Sequence, residues 1–141
     1  MKKIVVLFLL VLAGSLGAIA QKLSYSAVKN RDLIYVLNNI EKTTSYANDR
    51  DLHIRVYNVA DPTGSAHVQG DDEITNSLYI AVSEYDESPE QHVYRLSSVY
   101  NPKFVNWVKS AAGAKLVINY GPDNKRRTAT ITISLRKLVI N

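Results

Sequence analysis

NPKFVNWVKSAAG, residues 101–113, decides how many helices the chain has. Asn101 stands where a helix cap would, Pro102 fits the first helical position, and Gly113 fits the position just past a helix end. Between them Phe104, Trp107, Val108 and Ala111 recur at three- and four-residue intervals, the spacing of one helical face. The stretch therefore predicts a second short amphipathic helix, preceded by a longer one.

That first helix is expected in NRDLIYVLNNIEKTTSYAND, where Leu33, Val36, Leu37 and Ile40 share a stripe. Asn30 or Asp32 can cap its start, and Asn48-Asp49 marks the exit. Around the helices lie strand signals. KLSYSAVK alternates Leu23, Tyr25 and Ala27 against serines, and LHIRVYNV directs Leu52, Ile54 and Val56 to one side. ADPTGSAHVQGDDE follows, with Pro62, Gly64 and Gly70 announcing a long loop.

Two hairpins complete the pattern. In KLVINYGPDNKRRTATITISLRKLVI the turn Gly121-Pro122-Asp123-Asn124 sets Tyr120 opposite Arg127. Leu116, Ile118, Ala129, Ile131, Ile133 and Leu135 then face one way, and Thr128, Thr130, Thr132 and Ser134 the other, giving one dry and one wet face. YIAVSEYDESPEQHVYRLSSVY, residues 79–100, reads as the other hairpin, with Asp86 opposite Gln91. In that register Leu78, Ile80 and Val82 share a face with Val93 and Val99, and Tyr79, Tyr85, His92, Tyr94 and Tyr100 share the opposite one. The order strand, helix, three strands, helix, two strands predicts an α+β fold: an antiparallel sheet of about six strands in two main hairpins, with two amphipathic helices packed on one face. A β-sandwich with helical connections is the alternative.

The chain begins MKKIVVLFLLVLAGSLGAIAQ: two lysines, an apolar run, then the small-residue triplet Ala18-Ile19-Ala20. This order is that of a secretory leader cleaved after Ala20, so residues 1–20 are expected to be a signal peptide and 21–141 a single globular domain. Export to the periplasm or the exterior follows, with no transmembrane span after cleavage. The chain has no cysteine, which removes disulfides, thiol nucleophiles and cysteine metal sites. The formal net charge of +4 is unevenly spread. Asp71 to Glu90 carries acids and no Lys or Arg, whereas from Arg95 onward the bases face one acid, Asp123. Either the molecule is dipolar or strands from the two segments are neighbours whose charges offset.

Catalytic patterns are weak. The three histidines, His53, His67 and His92, lack the i, i+4 spacing of a helical zinc motif, so neither metal nor cofactor is expected. Two S-x-x-K matches, beginning at Ser26 and Ser134, fall on expected strands, where positions three apart face opposite sides. Asp71-Asp72-Glu73 lacks the spacing of a calcium loop. Lys125-Arg126-Arg127 at a turn tip could hold a phosphate, but nucleic acid is not an expected partner of an exported chain.

The tyrosines offer more. If the Leu78, Ile80 and Val82 side meets the helices, the tyrosine face is left open, and rings with a wet edge suit recognition surfaces. RKLVIN stays strand-like to the last residue, and a free edge there could pair with a partner's strand, although Arg136 and Lys137 could equally discourage this. The leading expectation is a non-enzymatic binding or assembly protein of the bacterial cell envelope that contacts an envelope protein. The candidate binding residues are Tyr79, Tyr85, His92, Tyr94, Tyr100, Lys125, Arg126, Arg127 and Arg136. The alternative is a small extracytoplasmic hydrolase or ligand-binding protein with its site in the 61–73 loop, using His67 with Asp71 or Asp72. A third possibility is a carrier of a small apolar ligand held between helix and sheet.

Overall fold

A computed structural model describes residues 26–47, 52–62, 75–111 and 113–141. Their elements are one α-helix, α1 (Arg31–Asn38), a single 3-10 turn (Asp123–Lys125) and eight strands: β1 (Ile40–Ala47), β2 (His53–Ala60), β3 (Thr75–Ser83), β4 (Gln91–Tyr100), β5 (Lys103–Ser110), β6 (Gly113–Tyr120), β7 (Arg127–Ile133) and β8 (Leu138–Ile140). They form two four-stranded antiparallel sheets, β1-β2-β3-β4 and β5-β6-β7-β8, each a simple meander. Ile54, Val56, Leu78, Ile80 and Val82 of the first sheet and Leu116, Ile118, Ile131 and Ile133 of the second join one buried cluster. The sheets therefore stack face to face, and the four central strands supply the fully buried apolar residues. This overturns the expected α+β architecture: the chain is mostly strand, with eight strands in two sheets and one helix among the described residues.

The expected second helix is strand β5. Phe104 lies opposite Ile118 and Asn106 opposite Val117, so Val105 is an extra residue in the ladder, a β-bulge. The bulge puts Phe104 and Trp107, three residues apart, on the same inward face, where both pack against the core. A helical interval is thus produced by an interrupted strand. Gly113, expected past a helix end, instead opens β6 with φ +141°, and a Cβ there would overlap the Ile133 carbonyl.

The first helix exists but is short. Asn30 caps it by accepting from the Leu33 N–H at 3.0 Å, and the amide side chains of Asn38 and Asn39 donate to the Ile34 and Tyr35 carbonyls. These asparagines end the helix, and the β-branched Thr43-Thr44 pair continues as strand. Residues 26–30 are exposed and without regular structure, and the remainder of the expected first strand lies outside the described residues.

The β3–β4 hairpin also departs from expectation. Ser83 pairs with Gln91 and Ile80 with Tyr94, a register shifted by an odd number of residues from Asp86 opposite Gln91. Such a shift exchanges the faces of β4. Tyr94 and Leu96 turn inward to the core, while Val93 joins Tyr79 and Ala81 outside. The β6–β7 hairpin matches its reading, with Tyr120 opposite Arg127.

Candidate functional site

The nine candidate residues do not form one surface; they fall in four places. Tyr79 lies on the outer face of the first sheet, with the Arg95 guanidinium 5.4 Å from its ring centre. Tyr85 is exposed beyond the end of β3 and stacks on His53 at 5.8 Å. His92, Tyr94 and Arg136 come together where β4 meets the β7–β8 turn. Tyr100 and the basic triplet lie at the opposite end of the sandwich, where the Gly121 N–H donates to the Tyr100 carbonyl at 2.8 Å.

The third group is centred on Glu90, which the sequence did not single out. Its carboxylate accepts from Arg136 at 2.7 Å and contacts the His92 ring at 2.7 Å. The Arg136 hydrogen bond, then that of His92, holds the carboxyl down at about 2 from its ordinary 4.5. The Tyr94 hydroxyl donates to the Leu135 carbonyl at 3.1 Å. Acidic and basic segments thus meet across the two sheets here, and these contacts fasten one end of the flank between β4 and β8.

The basic triplet is not a cradle for phosphate. Arg126 is committed to its own turn, donating to the Gly121 and Asn119 carbonyls at 2.6 and 3.0 Å, while Lys125 and Arg127 are exposed. His67, Asp71 and Asp72 lie outside the described residues, as does most of the 61–73 loop. At its near end the Asp61 carboxylate accepts from Thr75 and Ser77 at 3.0 and 2.6 Å, and Arg95 donates to Ser77 at 3.1 Å. This network ties β3 and β4 to the chain leaving β2. Among the described residues no three His, Asp or Glu side chains gather as metal ligands. No helix among them is long and apolar enough to cross a membrane.

Between the fastened end and the Tyr100 end the flank is open. A gap of about 350 Å³ runs between the sheets, lined by Leu96 and Val99 of β4, Ala129 and Ile131 of β7 and Ile140 of β8. Beside it lies the outer edge of β8. Thr130 and Asn141 exchange both backbone hydrogen bonds, and the Ser134 N–H donates to the Lys137 carbonyl. Antiparallel alternation therefore turns the N–H and C=O of Leu138 and Ile140 away from β7.

The other three edge strands are interrupted. Glu41 is the extra residue in β1, Ser97 and Ser98 together face Ser77 of β3, and Val105 is extra in β5. In β4 the break is sharpened by Ser98 at φ +56°. In β1 it aims Glu41 at Asn76 and Asn58, whose side-chain amides donate to its carboxylate at 2.8 and 3.4 Å. Bulges on edge strands hinder pairing with another chain, and β8 carries none. The chain matches no known protein family, no curated protein and no solved structure, so the site is argued from its own residues.

Proposed function

We propose that the protein is an exported binding or assembly protein of the bacterial cell envelope, which takes a strand of a partner protein along the edge of β8. The observation that carries this reading is the asymmetry of the edges. Three edge strands have bulges, and the fourth offers two regular positions, Leu138 and Ile140, beside an apolar gap. A strand added there would gain main-chain hydrogen bonds from β8, and its inward side chains would find apolar lining under β4. Lys137, exposed just before the edge, favours an acidic partner segment, whereas Arg136 is held by Glu90. The leader-like N-terminal sequence supports the compartment.

Proline substitution separates pairing from folding. At Ile140 proline removes an N–H that points away from β7, a place where edge strands tolerate it. At Val139 it removes one that alternation directs toward Thr132 of β7. With the C-terminally tagged protein purified from its native host after crosslinking, Ile140→Pro should lose the dominant envelope partner while keeping the wild-type unfolding midpoint. Retention of that partner at the wild-type level would refute the reading.

A further inference from the structure

The outer face of the first sheet holds a second cleft, separate from the β8 edge. Helix α1 lies along this face, anchored by the Tyr35 hydroxyl, which donates to the Ala60 carbonyl at 2.6 Å. Burial raises the Tyr35 phenol above its usual value, with the Asp61 carboxylate adding to the effect. No residue of the helix is fully buried, and Leu33 and Leu37 remain 45% and 60% exposed. Between helix and sheet is a cleft of about 420 Å³, with Leu33, Val36, Leu37 and Ile40 on one side and Tyr79 and Val93 among the residues opposite. Val93, outside only because of the observed register, is 67% exposed.

Tyr57, Ala81 and Val93 also line a second hollow of about 250 Å³, so the two adjoin along this face as the halves of a trough. The second half is polar, with His53, Arg55, Ser83 and Gln91 on its walls. Arg55 is exposed and has no hydrogen-bond or ion-pair partner among the described residues. Among the described residues no acid lines this half, and Asp32 is the one acid lining the apolar half. Glu90, which reaches His92 at the polar end, is already engaged by Arg136.

We infer that this trough binds a linear amphiphile with an anionic head, its apolar chain between α1 and the sheet and its carboxylate or phosphate at Arg55 and His53. Charge complementarity fixes the orientation: the Arg55 guanidinium, which has no ion-pair partner among the described residues, attracts the head, and Asp32 repels it from the other half. The apolar chain would cover Leu33, Leu37 and Val93, removing from water side chains that the fold leaves exposed.

The test uses dodecanoate, butanoate and dodecyltrimethylammonium below their micellar concentrations, with calorimetric titration and thermal unfolding of the full protein. Dodecanoate should bind saturably and raise the unfolding temperature, as any ligand selective for the folded state does. Butanoate should bind at least about a hundredfold more weakly, because it lacks the buried methylenes. The cationic amphiphile should bind at least about tenfold more weakly than dodecanoate. Arg55→Glu should reverse that preference, and Leu37→Ser should weaken both amphiphiles; both sites are exposed, so the unliganded proteins should unfold as wild type does. Absence of saturable dodecanoate binding, equal affinity for the two amphiphiles, or wild-type affinity in a folded Arg55→Glu protein would overturn the inference.

Discussion

The second sheet has two edges built in opposite ways. β5 is interrupted by the Val105 bulge, flanked by Lys103 and Lys109, and anchored inward by Phe104 and Trp107. Trp107 also reaches the first sheet, donating from Nε1 to the Thr44 hydroxyl at 2.9 Å and packing its ring 5.5 Å from that of Tyr46. β8 has three residues, no bulge and a half-exposed Ile140 at its end. Both strands combine apolar residues with lysine in or beside the strand, so composition does not distinguish them. Geometry does: β5 closes the sandwich against β1, whereas no strand among the described residues pairs with the outer edge of β8 or fills the adjoining gap.

The largest predicted effect lies on the closed edge. Trp107→Ala removes a packed ring and the bond to Thr44, and should cost about 3 kcal/mol in urea unfolding, at the low end for a large core residue because Trp107 is only half-buried. A loss below about 1 kcal/mol would mean that β5 does not hold the two sheets together. Deleting Val105 keeps Phe104 and the tryptophan on one face at the ordinary two-residue interval. The deletion should therefore fold and expose a regular edge, so sedimentation should show concentration-dependent self-association that the wild type lacks. A monomeric deletion variant would remove the bulge from the explanation.

On the open edge the paired prolines should diverge. Val139→Pro should destabilise by about 1 kcal/mol through its lost ladder bond, against less than about 0.5 kcal/mol for Ile140→Pro. Equal costs would place the outward amides wrongly.

The smallest effect concerns the fastened end of the flank. Glu90 has a folded-state carboxyl held at about 2, below its ordinary 4.5, so it contributes stability above pH 4.5 that is lost as pH falls through about 2. The unfolding-temperature difference between wild type and Glu90→Gln should be fully present at pH 6 and vanish by about pH 2. A difference independent of pH would show that the Arg136 contact does not depend on the carboxylate charge.

The legible parts of the sequence were those with unbroken periods. The row Thr128, Thr130, Thr132 and the Gly121-Pro122-Asp123-Asn124 turn defined the β6–β7 hairpin and its register. Asn30 marked the start of α1. What misled were residues inserted into an otherwise regular strand. Val105 gave Phe104 and Trp107 a helical interval, and Asn101 at φ +41° and Pro102 served a chain reversal between the sheets rather than a helix start. The segment 84–90 has no two-residue turn signature, so the β4 register and the inward position of Tyr94 could not be read locally. Of the candidate site, the strand-like C-terminus was visible in RKLVIN. Its contrast with the other edges was not, because a bulge is defined by pairing partners distant in sequence.

The central claim is that partners meet this protein at β8 and not at the interrupted edges. A photo-crosslinking residue placed singly at Ser45 on β1, Ser97 on β4, Val105 on β5 and Ile140 on β8, then activated in the native host, tests all four edges under one condition. The account predicts a discrete protein adduct from position 140 and none from the other three. Adducts of equal yield from a bulged edge, or none from position 140, would contradict it.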